Sequence, residues 1–212
     1  MPKKKPPSKG ARARVRNPPT LQNCRVAVVG LNALGYRIAQ LLVSSGVRSL
    51  KLFDHRLVTK RDQLREGYDA IDVGRPKAHA AVQRCHEINA RIDITGCTIR
   101  TKRTLTDADV IFVCSNACRC RHGESGSVSR MHIHLRTQGD VIIDIESSST
   151  AHRRDSKSWK SSTLNSAEAF IVASVAVQKA IQSLAGAVFR KTHRIRVDGQ
   201  IIQVTKRASQ QA

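Results

Sequence analysis

The sequence predicts an α/β protein with a doubly wound, mainly parallel sheet and a C-terminal β-hairpin, and three observations carry that expectation. A β-branched run at 26–29 breaks at Gly30, and after it come Gly35, an amphipathic segment and a second apolar run ending at Asp54. That is the order strand, tight turn, helix, strand. The runs at 26–29 and 109–114 are continuously apolar, as expected of parallel strands covered on both faces. Asp198-Gly199 separates two alternating apolar runs and is a hairpin signal.

Residues 1–20 hold seven lysines and arginines, four prolines besides Pro2 and no acid, so they are expected to be a disordered basic arm. Residues 21–205 form the predicted domain and 206–212 a tail. After the first strand, Leu34, Ile38, Leu41 and Leu42 recur at helical spacing, and Gly46 stands where a helix stops. Leu50 and Leu52 alternate into the second strand. A polar stretch at 56–74 crosses to Pro76, a first-turn residue for a helix lined by Ala78, Val82, Cys85 and Ile88. Ile92, Ile94 and Ile99 mark a third strand, and 109–114 is the fourth. Val128, Met131 and Leu135 predict a helix capped by Gly139, followed by a fifth strand at 141–145. A Ser-rich basic loop at 147–165 holds the single tryptophan, Trp159. Asn165 and Glu168 have the spacing of a capping box for an apolar helix at 167–184. Strands alternating with helices in this way describe a Rossmann-like sheet.

Only seven aromatics are present, so the core rests on Val, Ile, Leu and Ala. A net charge of +21 is unusual for a small-molecule enzyme and points to a polyanion, with nucleic acid as a candidate partner for the arm. The six cysteines lie mostly in apolar stretches, which suits buried thiols in a reducing compartment. No apolar run approaches the roughly 20 residues that span a bilayer, and a cytoplasmic protein is expected.

Chemistry concentrates at the first turn. Gly30 and Gly35 permit close approach of backbone N–H groups and a helix N-terminus to phosphate oxygens. Asn32 replaces the middle glycine of a dinucleotide fingerprint, and with it a side chain enters the turn. Asp54, at the end of the next strand, is placed to accept hydrogen bonds from ribose hydroxyls.

Leu52-Phe-Asp54-His-Arg-Leu-Val58, then Asp62-Gln-Leu-Arg65 and Val73-Gly-Arg-Pro-Lys77, resemble the ThiF/MoeB family of activating enzymes for ubiquitin-like and sulfur-carrier proteins. The resemblance extends over most of residues 21–186. It implies ATP and Mg2+ as cofactors, a homodimer, and adenylation of the C-terminal carboxylate of a ubiquitin-like or sulfur-carrier protein. Position by position, it implies nucleotide binding by Gly30, Asn32, Gly35 and Asp54, with Arg65 and Lys77 on the phosphates as catalytic cations. Cations fixed there stabilise the charge that builds on the α-phosphate. The chain departs from the family pattern in four places. Asn32 and Ala33 replace a glycine pair, Arg56 a second strand-end acid, and Asp62 an asparagine. Asn116 replaces the aspartate used for magnesium and ATP, and neutral Asn lacks the anionic oxygen that Mg2+ prefers. Asp144 and Glu146, at the carboxyl end of the fifth strand, are the candidate replacement metal ligands.

Two other groups carry metal-ligand chemistry. Cys114, Cys118, Cys120 and His122 are compactly spaced but lack a second half-site. His132 and His134, two apart on a predicted helix, fall on different faces, which argues against a shared metal. The alternatives to an adenylating enzyme are a catalytically degenerate scaffold of the same fold and a nucleic-acid-binding protein.

Overall fold

A computed structural model of the chain describes residues 21–98, 107–114, 131–138, 140–147, 166–184, 193–198 and 201–206. The basic arm, the loop around Trp159, Asn116 and the cysteines beyond 114 lie outside these residues. The elements are β1 (Arg25–Val29), α1 (Ala33–Ser44), β2 (Ser49–Phe53), α2 (Lys60–Glu66), α3 (Lys77–Ile88), β3 (Asp93–Cys97) and β4 (Val110–Val113). They continue with β5 (Met131–Gln138), β6 (Asp140–Ser147), α4 (Ser166–Leu184), β7 (His193–Asp198) and β8 (Ile201–Lys206).

All eight strands form one sheet in the order β3-β2-β1-β4-β5-β6-β7-β8. From β3 to β5 the pairing is parallel, and from β5 to β8 it is antiparallel. This is the Rossmann-like sheet with a C-terminal hairpin that the sequence predicts, and β7 and β8 pair across Asp198 and Ile201 as the hairpin signal requires.

Strand alternation divides the core. Val26, Val28, Leu50, Leu52, Val110 and Phe112 face one side, where they pack with Ile38 and Leu42 of α1, Ala81 and Cys85 of α3, and Val172 and Ala176 of α4. On the other face Ala27, Val29, Phe53, Ile111 and Val113 form a second buried cluster. Covered on both sides, these strands have no wet face, which explains their continuous apolar runs. Fully burying one such Val or Leu stabilises by about 1.5–3 kcal/mol.

Two predicted segments differ. The polar stretch at 56–74 contains α2 and a short 3-10 turn at Ala70–Asp72. α2 buries no residue, so no apolar period reveals it; a capping box between Thr59 and Asp62 starts it, and Gly67 at φ 82° ends it. The larger correction is at 131–138. A helix is expected over Val128, Met131 and Leu135; Val128 lies outside the described residues, and Met131 and Leu135 belong to strand β5, paired parallel to β4 and antiparallel to β6. Met131, Ile133 and Leu135 also alternate with His132, His134 and Arg136, and this period of two is the one the sheet uses.

That correction changes two further expectations. His132 and His134 now lie on one face of a strand. β6 runs antiparallel, so its carboxyl end does not join the carboxyl edge of the parallel strands. Through β5, Glu146 comes level with Ile111, and Asp144 with Val113 at the end of β4.

Candidate functional site

The parallel strands end together at Val29, Phe53 and Val113, and the residues beyond them build the site. Gly30, at φ 90°, turns the chain out of β1, and its N–H donates to the Phe53 carbonyl at 2.8 Å. Only glycine adopts that φ without strain. Leu31 N–H then donates to Asp54 Oδ2 at 2.7 Å, tying the turn to the end of β2.

Asn32 is the N-cap of α1. Its Oδ1 accepts from Gly35 N–H at 3.1 Å, while its Nδ2 donates to the Cys114 carbonyl at 2.9 Å. Both ends of the amide are therefore used inside the protein, one holding the helix and the other joining β1 to β4. Gly35 allows this packing: a Cβ there would lie 3.0 Å from the Gly30 carbonyl carbon and 3.3 Å from Cys114 Cβ, and closer still to the Gly30 oxygen.

Asp54 is buried and fully engaged. Arg56 grips it as a fork, Nε to Oδ1 at 3.0 Å and Nη2 to Oδ2 at 2.8 Å, and Arg56 N–H adds a third bond to Oδ1. Burial by itself would raise the Asp54 pKa, but the hydrogen bonds from Arg56 and Leu31 outweigh it and hold the carboxyl below its ordinary value. The fork leaves the Arg56 side chain 47% exposed.

Lys77 begins α3 directly after Pro76, and its N–H donates to the Arg56 carbonyl at 2.9 Å. It is 1% exposed, lying 5.5 Å from the centre of the Tyr68 ring. Its Nζ meets Glu66 Oε2 at 2.5 Å and Asp62 Oδ1 at 3.0 Å. The two acids are four residues apart and so share one face of α2. Asp62 also closes the capping box with its other oxygen, at 2.8 Å from Thr59 N–H. Burial raises the Glu66 pKa; Asp62 is less buried, and its bonds from Thr59 and Lys77 overcome desolvation and lower it. Tyr68 donates its hydroxyl to the Leu31 carbonyl at 2.9 Å and stacks on Tyr36, which links the Lys77 clasp to the glycine turn.

Gly30, Asn32, Gly35, Asp54 and Lys77 thus belong to one connected set. Arg65 stands exposed in the last turn of α2, with no ion pair among the described residues. Asn116 lies outside the described residues, two positions past the Cys114 carbonyl that Asn32 holds. The Asp62–Glu66 clasp escaped the sequence reading, although their spacing of four and the Thr59-x-x-Asp62 box were available signals. Among residues with described side chains, no group of three His, Cys, Asp or Glu could hold a metal. The Cys24, Cys85 and Cys114 thiols are buried, and burial pushes Cys85 up to about 12, so they are poor nucleophiles.

The arrangement brings together a glycine turn at a helix N-terminus, a carboxylate at the next strand end, and Lys77 at the start of α3. A model of the ThiF family matches residues 12–123. SUMO-activating enzyme subunit 1 of Homo sapiens is 37% identical over 79 residues, 35% of this chain and 22% of the relative. The sulfur carrier protein ThiS adenylyltransferase of Bacillus subtilis is 39% identical over 82 residues, 36% of this chain and 24% of the relative. The chain therefore spans about a quarter of the length of these relatives. In fold it is similar to E. coli MccB bound to AMPCPP and MccA, with TM-score 0.72, 14% identity, and coverage of 88% of this chain and 64% of that one.

Proposed function

The chain belongs to the ThiF family, and from that premise we propose that it binds ATP over the Gly30–Gly35 turn and adenylates the C-terminal carboxylate of a ubiquitin-like or sulfur-carrier protein. The observation that carries this reading is the connected set Gly30, Asn32, Gly35, Asp54 and Lys77 at the carboxyl edge of the parallel strands. Relatives named for SUMO activation and ThiS adenylylation, and a fold-mate crystallised with AMPCPP, support it.

In this reading the turn and the α1 N-terminus receive the phosphates and Asp54 the ribose hydroxyls. A carboxylate oxygen of the partner attacks the α-phosphorus, the bond to the β-phosphate breaks, and pyrophosphate leaves. Arg65 and Lys77 offset the negative charge that grows on the α-phosphate. Mg2+ bound with the triphosphate would offset further phosphate charge, and among the described side chains no group of three His, Cys, Asp or Glu would hold it. Two displacements are required: Arg56 releases Asp54, and the phosphates compete with Asp62 and Glu66 for Lys77. The family also suggests a homodimer, which the mass of the chain in solution tests.

The test is exchange of labelled pyrophosphate into ATP with Mg2+ and candidate carrier proteins. Carrier-dependent exchange is expected, and absence of both exchange and ATP binding overturns the proposal. The fork on Asp54 and the clasp on Lys77 favour a second reading, a nucleotide-binding scaffold without turnover. Magnesium-insensitive ATP binding with no exchange identifies it.

A further inference from the structure

We propose that His132 and His134 of β5, together with Asp144 and Glu146 of β6, form a binding site for a divalent transition metal of the zinc class. The juxtaposition is one of register. The ladder pairs His132 with Glu146 and His134 with Asp144. Directly paired residues on neighbouring strands share a face, as do residues two apart along one strand, so all four positions lie together. The same ladder assigns Ile133, Leu135, Ile143 and Ile145 to the opposite face. Nothing in the hydrophobic pattern requires two imidazoles and two carboxylates to collect in adjacent pairs.

Parallel pairing sets the positions of His132 and His134 in register with Ile111 and Val113 of β4, both 3% exposed. Paired positions have Cβ atoms about 4.5–5.5 Å apart, and successive same-face positions are about 6.6–6.8 Å apart. Four corners on that scale suit one ion with ligand bonds of about 2.0–2.2 Å. Two nitrogens with carboxylate oxygens favour zinc, iron or nickel over Mg2+ or Ca2+, which take oxygen alone. The frame uses β5 and β6 and needs no nucleotide.

The experiment is titration of the chelator-treated full-length chain with Co2+, then displacement by Zn2+, at neutral pH and without nucleotide. One equivalent of Co2+ with tetrahedral visible absorption, displaced by zinc, is expected. His132→Ala, His134→Ala and the isosteric Glu146→Gln should each weaken zinc binding by about tenfold or more while retaining the wild-type circular dichroism spectrum. A simple His–carboxylate ion-pair ladder would give no saturable binding by the wild-type chain, and that result overturns the proposal whatever the variants do. A thiolate-to-cobalt charge-transfer band also overturns it, since the ligands would then be cysteines. Undiminished affinity in the folded Glu146→Gln and His134→Ala variants does so as well.

Discussion

Glu66 and Gly35 show how single residues set the behaviour of the site. Around Lys77 one cation faces two carboxylates, a net −1 where a triphosphate is proposed to bind. Glu66→Gln keeps the shape and removes that charge, so ATP affinity should rise several-fold, measured by calorimetric titration. The pH dependence has a definite sign. Glu66 is raised above its ordinary value of 4.5, while Asp62 is held below its own of 3.8. Acidification therefore neutralises Glu66 first and loosens the clasp, and nucleotide affinity should increase as pH falls towards the raised Glu66 value. Glu66→Gln should flatten that profile. The same raised group costs folding stability as pH rises through its folded value, whereas the lowered Asp54 contributes stability that is lost as pH falls through its own. At Gly35 an added methyl meets the Gly30 backbone, which cannot move without opening the turn. Gly35→Ala should cost about 1–3 kcal/mol in urea unfolding, with nucleotide binding lost alongside.

At the scale of elements, α2 is held by its ends and by Lys77, since none of its residues is buried. Asp62 serves both the cap and the ion pair, so Asp62→Asn should act unlike Glu66→Gln. Thr59 Oγ1 still caps the residue 62 N–H, but a neutral Asn weakens the reciprocal bond to Thr59 N–H and the tie to Lys77, at a cost of up to about 1 kcal/mol, and hydrogen exchange of amides 60–66 should accelerate. Unchanged protection there would show that Lys77 and Glu66 suffice to hold the helix. α2 was hidden in the sequence because a helix that buries nothing has no apolar period, yet its Thr59-x-x-Asp62 box was legible. β5 is ambiguous in the sequence for the opposite reason. Val128, Met131 and Leu135 satisfy a helical period while 131–136 satisfy a period of two, and only pairing with β4 and β6 chooses between them.

For the whole molecule, charge and topology make separate claims. Removing the seven cations of the arm from +21 leaves +14, so the domain is basic without it. If the chain binds nucleic acid, the affinity should fall steeply with salt. Deleting residues 1–20 should make that slope shallower by roughly 0.7–0.9 for each phosphate the arm had neutralised. Salt-insensitive binding in a filter assay would remove this reading. The sequence by itself determined the strand-turn-helix-strand unit, the buried parallel strands, the final hairpin and the residues of the glycine turn. Those features follow from apolar period, glycine and proline chemistry, and short-range spacing, all local properties of the chain. Tertiary structure alone decided that Asn32 turns inward to Cys114, that Arg56 closes on Asp54, that Lys77 is clasped by Asp62 and Glu66, and that His132 and His134 share a face with two carboxylates. Each of these depends on which distant backbone comes alongside, and no local period records that.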